Sequence, residues 1–181
     1  MLPVKPIAIP VTAKDWRLSE SIAQERHTRR FNSSKKRLLR GDDGLSGDVL
    51  GTLVEIAYGN HYGLPTDHIG RITAGGDGCD FIHYGWRVDI KLSDWPKNEG
   101  LKLIVSEDVQ DTIDLFVLFR PGSDRTEVLL CGYMWADCFD RLKKKAPWRE
   151  GAFYMEAGDL IQPQILETAL KETAYCRDRY K

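Results

Sequence analysis

Asp80, Asp89 and Lys91 are the residues whose types and spacing suggest chemistry, in the stretch D-F-I-H-Y-G-W-R-V-D-I-K-L-S that runs from Asp80 to Ser93. From Trp86 onward this stretch alternates. Val88, Ile90 and Leu92 fall on one side, and Arg87, Asp89, Lys91 and Ser93 on the other. Successive side chains of a strand point to opposite faces, so Asp89 and Lys91 stand on one face, about 7 Å apart along the chain. Gly85 is suited to a turn, which makes residues 80–83 the partner strand of a hairpin and carries Asp80 towards Asp89.

Two carboxylates beside an ammonium suit phosphodiester hydrolysis. Water is a poor nucleophile and negative charge accumulates in the transition state. Divalent ions held by carboxylates lower the pKa of the attacking water and clamp the developing charge. Mg²⁺ takes hard oxygen ligands and keeps several waters, so two or three protein oxygens suffice. Asp80 and Asp89 are the expected ligands, and the main-chain carbonyl of Ile90 a further one. Without a cation, two carboxylates about 4 Å apart repel by about 4 kcal/mol at an effective dielectric of 20. Lys91 is expected to orient the attacking water or neutralise the scissile phosphate, with Ser93 a minor contributor. Other chemistries find less support. His27, His61, His68 and His83 form no H-E-x-x-H pattern. Cys79, Cys131, Cys138 and Cys176 form no C-x-x-C pair and are expected to be reduced.

The elements that must position these residues follow from periodicity and punctuation. Residues 1–13 form a proline-punctuated lead-in, and a helix is expected to follow, starting near Asp15 or Ser19 and ending at Asn32-Ser33-Ser34. Leu45–Tyr58 reads as a second helix, with Leu45, Val49, Leu53 and Ala57 at four-residue steps and Gly59-Asn60 as its stop. Glu55 lies on this helix away from the apolar stripe, and Gly51 one turn earlier would admit a close neighbour. Gly75-Gly76-Asp77-Gly78 lacks the G-x-x-x-x-G-K-[ST] phosphate loop, so no nucleotide cofactor is expected. Leu101–Val105 suits a short strand or helix. Leu115–Phe119 reads as a strand covered on both faces, and Glu127–Trp135 as another strand. Ala136–Lys145 is expected to be helical, Phe153–Met155 a short strand, and Ile165–Tyr175 a terminal helix. The order predicts an α/β domain with a mixed central sheet and helices packed on it.

The 181 residues, 42% apolar and 29% charged, suit one soluble domain with a real core. No run reaches the roughly 18 apolar residues of a membrane span, and no leader-like apolar segment opens the chain, so a cytoplasmic location is expected. The net charge is −1, but its distribution is uneven. Arg26, Arg29, Arg30, Lys35, Lys36, Arg37 and Arg40 lie in a window without an acid, suited to sequence-independent attraction to phosphates. Arg141, Lys143, Lys144, Lys145 and Arg149 form a second basic cluster.

Taken together, these residues resemble the PD-(D/E)xK nuclease superfamily, of the restriction-endonuclease and Holliday-junction-resolvase type found in phages and bacteria. The resemblance covers roughly Leu45 to Leu170. Gly51-Thr52-Leu53-Val54-Glu55 is similar to the family's acid-bearing first helix. Cys79-Asp80 stands where the name-giving Pro-Asp would be, and Asp89-Ile90-Lys91 matches the triplet. Asp114-Leu115-Phe116-Val117, Cys131-Gly132-Tyr133-Met134-Trp135, and the run from Phe153 through Leu160 to Pro163-Gln164-Ile165 resemble the strands and capped helix that follow. Asp replaces the commoner Glu of the triplet. Asp77 competes with Asp80 for the first strand acid and Glu20 with Glu55 for the helical acid. The resemblance implies a restriction-endonuclease-like α/β/α core at 45–175 behind an N-terminal extension at 1–44. It also implies dependence on Mg²⁺ or Mn²⁺ and hydrolysis of DNA leaving 5′-phosphates. Glu55 would be an outer ligand or water-positioning acid, and a homodimer would present two sites to two strands. The rival readings are a nuclease-fold protein that binds DNA or protein without cutting, and a structural or assembly protein.

Overall fold

The computed structural model describes residues 5–31, 45–66, 78–93, 100–107 and 112–179, with the side chains of 27, 29–31 and 176–179 outside the description. The lead-in forms a strand, β1 (Ile7–Pro10), antiparallel to β6 (Glu127–Trp135) at one edge of a five-stranded sheet. An edge strand can end in Pro10 because its missing N–H leaves no ladder bond unmade inside the sheet.

Thr12 and Asp15 then start α1 (Ala13–Phe31) with reciprocal bonds. The Asp15 N–H donates to Thr12 Oγ1 at 3.2 Å and the Thr12 N–H to Asp15 Oδ2 at 2.8 Å. Asn60 Nδ2 donates to Asp15 Oδ1 at 3.1 Å, which ties the start of α1 to the end of α2 (Leu45–Tyr62). The two helices therefore run antiparallel. Gly59 does not stop α2. It admits a close neighbour instead, since a Cβ there would collide with Thr66 Cγ2 and crowd the Phe81 ring. Gly51, expected to serve a close approach, has open space beside it.

β2 (Phe81–His83) and β3 (Trp86–Leu92) form the expected hairpin through Tyr84-Gly85. Both turn residues have positive φ, 49° and 81°, which matches the right-handed twist of the strands. β3 also pairs in parallel with β5 (Leu115–Pro121), and the sheet order is β1-β6-β5-β3-β2. β5 lies at the centre, and Leu115 to Phe119 are each 0% exposed.

Alternation along β5 divides the core. Leu115, Val117 and Phe119 join Leu53, Ile56, Tyr58, Val88, Ile90, Leu166 and Leu170 beneath α1, α2 and α4 (Leu166–Arg179). Phe116 and Leu118 face the opposite way and meet Leu103, Val105, Phe139 and Met155. That second layer differs from the helical one that an α/β/α sandwich would have. It is a three-stranded antiparallel sheet, β4 (Lys102–Ser106), β8 (Ala152–Glu156) and β7 (Lys144–Lys145), with the short α3 (Ala136–Leu142). Ala136–Lys145 is thus not one helix. It turns extended at Lys143 (ψ 148°), where Lys144 and Lys145 pair with Tyr154 and Phe153.

In β6, the register shifts opposite Leu118 and Phe119. The neighbouring Gly132 leaves room for residues 160 and 161, since a Cβ would come within 2.9 Å of Ile161 O and Leu160 Cβ. Tyr133 and Ile161 then exchange backbone hydrogen bonds of 3.1 and 2.9 Å. Among the described residues no helix is long and apolar enough to cross a membrane, and Cys79, Cys131 and Cys138 are free thiols.

Candidate functional site at the edge of strand β3

The backbone of β3 decides what its edges can hold. Arg87 O accepts from the Asp114 N–H and the Ser93 N–H donates to Phe119 O, each at 2.9 Å, so the odd residues turn their peptide groups to β5. The even residues turn theirs to β2, as the Asp80 N–H to Val88 O bond of 2.9 Å demonstrates. β2 begins only at Phe81, so Ile90 lies beyond its pairing. Asp80 takes over there: its Oδ2 accepts the Ile90 N–H at 2.6 Å. In an extended strand a residue's N–H and C=O leave from the same edge, so the Ile90 carbonyl also faces the side occupied by Asp80.

Asp89 and Lys91 share the face of β3 opposite Val88 and Ile90, as the alternation predicts. Lys91 Nζ lies 2.5 Å from Asp89 Oδ2. Asp89 is 8% exposed, and among the described residues no donor other than this ammonium meets its buried Oδ2. Burial raises the Asp89 pKa above the ordinary carboxylate range, and the Lys91 charge only partly opposes it. Asp80 is pushed well up, first by burial and then by the negative charges of Glu55 and Asp89, against the Ile90 N–H and Lys91. Glu55 from α2 and Asp89 and Lys91 from β3 are therefore all within electrostatic reach of Asp80.

A fifth member was not legible in that role. Arg26 of α1 forks onto Glu55, Nη1 to Oε1 at 3.2 Å and Nη2 to Oε2 at 2.9 Å, and Nη1 also reaches Thr52 Oγ1 at 3.2 Å. Both side chains of the pair are 13% exposed. Burial works against the Arg26 charge, but Glu55, Asp80 and Asp48 outweigh it and hold its pKa above the usual value. Arg26 was expected to grip DNA outside the site. It instead holds an acid of the cluster, and a separation of 29 residues leaves no local sequence signal of that.

The remaining candidates are placed elsewhere. Glu20 is exposed and pairs at 3.5 Å with Arg125, beside the β5–β6 turn. Ser93 is 5% exposed, its Oγ without a hydrogen-bond partner among the described residues. Arg29 and Arg30 lie on α1 with side chains outside the description, and Asp77, Lys35, Lys36, Arg37 and Arg40 lie outside the described residues. Tyr58 is fully buried, its hydroxyl 2.7 Å from His83 Nδ1. Asp114 is a brace: its carboxylate accepts from Arg87 Nε at 3.1 Å, Nη2 at 3.0 Å and the Arg87 N–H at 2.8 Å, which locks the start of β3 to β5.

The donor set is one of hard oxygens, with a buried carboxylate oxygen that, among the described residues, only Lys91 satisfies, and this chemistry fits Mg²⁺ or Mn²⁺. Among the described residues, however, no three His, Cys, Asp or Glu side chains converge into a ready-made cage. Comparisons with family profiles, curated proteins and solved structures find no match for this chain.

Proposed function

We propose that this protein is a divalent-metal-dependent nuclease of the PD-(D/E)xK type, with a restriction-endonuclease-like core, that hydrolyses DNA phosphodiesters and leaves 5′-phosphates. The observation that carries the reading is the fastening of Asp80 to the Ile90 N–H, which sets a second buried acid against the Asp89–Lys91 pair with Glu55 in reach. Acids from separate elements raise one another's cost of ionisation there, an expense that a bound cation would remove.

Asp80, Asp89 and the Ile90 carbonyl would hold Mg²⁺ or Mn²⁺. When bound, such an ion supplies Lewis-acid activation of water and neutralises charge gathering on the phosphate. Lys91 sits beside Asp89, where its charge attracts a scissile phosphate and orients the attacking water. Glu55, held by the Arg26 fork, supplies an acceptor for a water proton. The Asp114–Arg87 brace keeps β3 in register while the phosphate is engaged.

A second reading has its own observation. Arg26 and Lys91 already neutralise Glu55 and Asp89, and no ready-made cage stands among the described residues, which favours a nuclease-like protein that binds DNA or protein without cutting. The experiment is a time course on circular plasmid, linear duplex and single-stranded DNA in Mg²⁺, Mn²⁺ or EDTA. Lys91→Met runs beside wild type, and circular dichroism verifies its fold. The hydrolase reading expects metal-dependent cutting that Lys91→Met loses by at least about 100-fold. DNA binding without cutting in either metal would establish the second reading instead.

A further inference from the structure

The second basic cluster, which the candidate site does not use, lies on the small sheet in company with aromatic rings. Leu103, Val105 and Met155 point from this sheet into the core, so Ile104, Ser106 and Tyr154 belong to the outer face. Tyr154 is on the central strand β8, and the Trp148 ring, 37% exposed, packs on it with centroids 4.9 Å apart. On one flank, Lys144 of β7 pairs in register with Tyr154 and holds its ammonium 5.9 Å from that ring. On the other flank, Arg149 Nη2 reaches Ser106 Oγ of β4 at 3.4 Å. The flanking strands are two strand spacings apart, about 10 Å, with the aromatic pair between them.

The charges on this face are available. Arg141–Arg149 contains no acid. Arg141 and Lys143 are engaged by Asp137 and Asp140, and Glu156 lies 3.9 Å from Lys102. Lys144, Lys145 and Arg149 are exposed and make no ion pair among the described residues. Glu107 and Glu150 share a cleft with Lys145 and Arg149, and Lys145 pairs with the inward-facing Phe153, so Lys144 carries the larger part of the free positive potential on the outer face. A partly exposed Trp148 beside Tyr154, flanked by cations that make no ion pair among the described residues, is the combination that holds unpaired nucleotides: bases stack on rings and phosphates meet cations. A duplex hides its base faces and would use only the charges.

We propose that the outer face of β4–β8–β7 binds single-stranded nucleic acid, through stacking on Trp148 and Tyr154 and phosphate contacts to Lys144 and Arg149. The surface lies outside the acid cluster, and the inference does not depend on hydrolysis.

The test is fluorescence anisotropy of a labelled oligothymidylate with the full chain, in EDTA, across a salt series. Trp148→Ala, Trp148→Phe and Lys144→Glu are compared with wild type after circular dichroism shows that each is folded. Wild type is expected to bind the single strand more tightly than a duplex of equal length. Trp148→Ala should weaken binding roughly 5- to 100-fold, the range for loss of one stacked base. Trp148→Phe should retain most of the affinity, and Lys144→Glu should flatten the salt dependence. Absence of wild-type binding, equal affinity in Trp148→Ala, or preference for duplex would each overturn the proposal. With cleavage off in EDTA, any of these outcomes leaves the hydrolase reading untouched, and failure to cut DNA leaves this surface untouched.

Discussion

Arg26→Met tests whether the acid cluster depends on a built-in cation. The guanidinium makes two charge-assisted bonds to Glu55 and one bond to Thr52, and both partners of the ion pair are 13% exposed. Removing one member of a fully buried pair costs about 3–5 kcal/mol, and residual exposure lowers this to roughly 2–4 kcal/mol here. The loss exceeds that of a single hydrogen bond because Glu55 is left to face Asp80 without compensation. In a chain of this size the midpoint should fall by roughly 5–15 °C. Urea denaturation of wild type, Arg26→Met, Glu55→Gln and the double variant gives the coupling directly. The double variant should be more stable than Arg26→Met alone, with a coupling of about 2 kcal/mol. A coupling below about 0.5 kcal/mol would refute the reasoning, since the pair would then be no stronger than a surface contact.

Other outcomes follow from the same geometry. Asp80→Asn keeps an oxygen acceptor for the Ile90 N–H and removes the charge. Because the folded state holds the Asp80 proton to higher pH than the unfolded chain does, wild-type stability is fully present below the ordinary carboxylate pKa of about 4 and declines as pH rises through the raised value. Thermal unfolding in EDTA should thus show Asp80→Asn gaining on wild type from pH 4 to pH 8, and an advantage that shrank with pH would contradict the burial argument. Gly132→Ala places a Cβ within 2.9 Å of both Ile161 O and Leu160 Cβ, and urea midpoints should report a loss of about 1–3 kcal/mol; an unchanged midpoint would show that the 160–161 segment yields freely.

The sequence was most informative where the fold is local. Val88, Ile90 and Leu92 alternate with Arg87, Asp89 and Lys91, and Gly85 supplies the turn, so β3 and the Asp89–Lys91 pairing could be read directly. Leu115–Phe119 announced a central strand because both of its faces needed apolar side chains. β1 was not legible, because three prolines in its vicinity look like breakers unless the strand is known to lie at an edge. The small second sheet was hidden for another reason: its strands are short, and β4 meets β8 only across some fifty intervening residues. β7 looked like the end of α3 because Lys144 and Lys145 are good helix formers, and cross-strand pairing with Tyr154 and Phe153 overrides that preference. The same logic explains Arg26. Its charge was evident, whereas its direction is set by Glu55 on another helix.

Everything proposed for the acid cluster depends on a divalent cation, so the deciding measurement is calorimetric titration of Mn²⁺ into the folded protein at neutral pH. Asp80→Asn/Asp89→Asn is titrated in parallel. The account predicts saturable binding to wild type that weakens as pH falls, because protons compete with the cation for Asp80 and Asp89. It predicts loss of that binding in the double variant, which retains its fold. Equal binding by both proteins, or no binding by wild type, would contradict it.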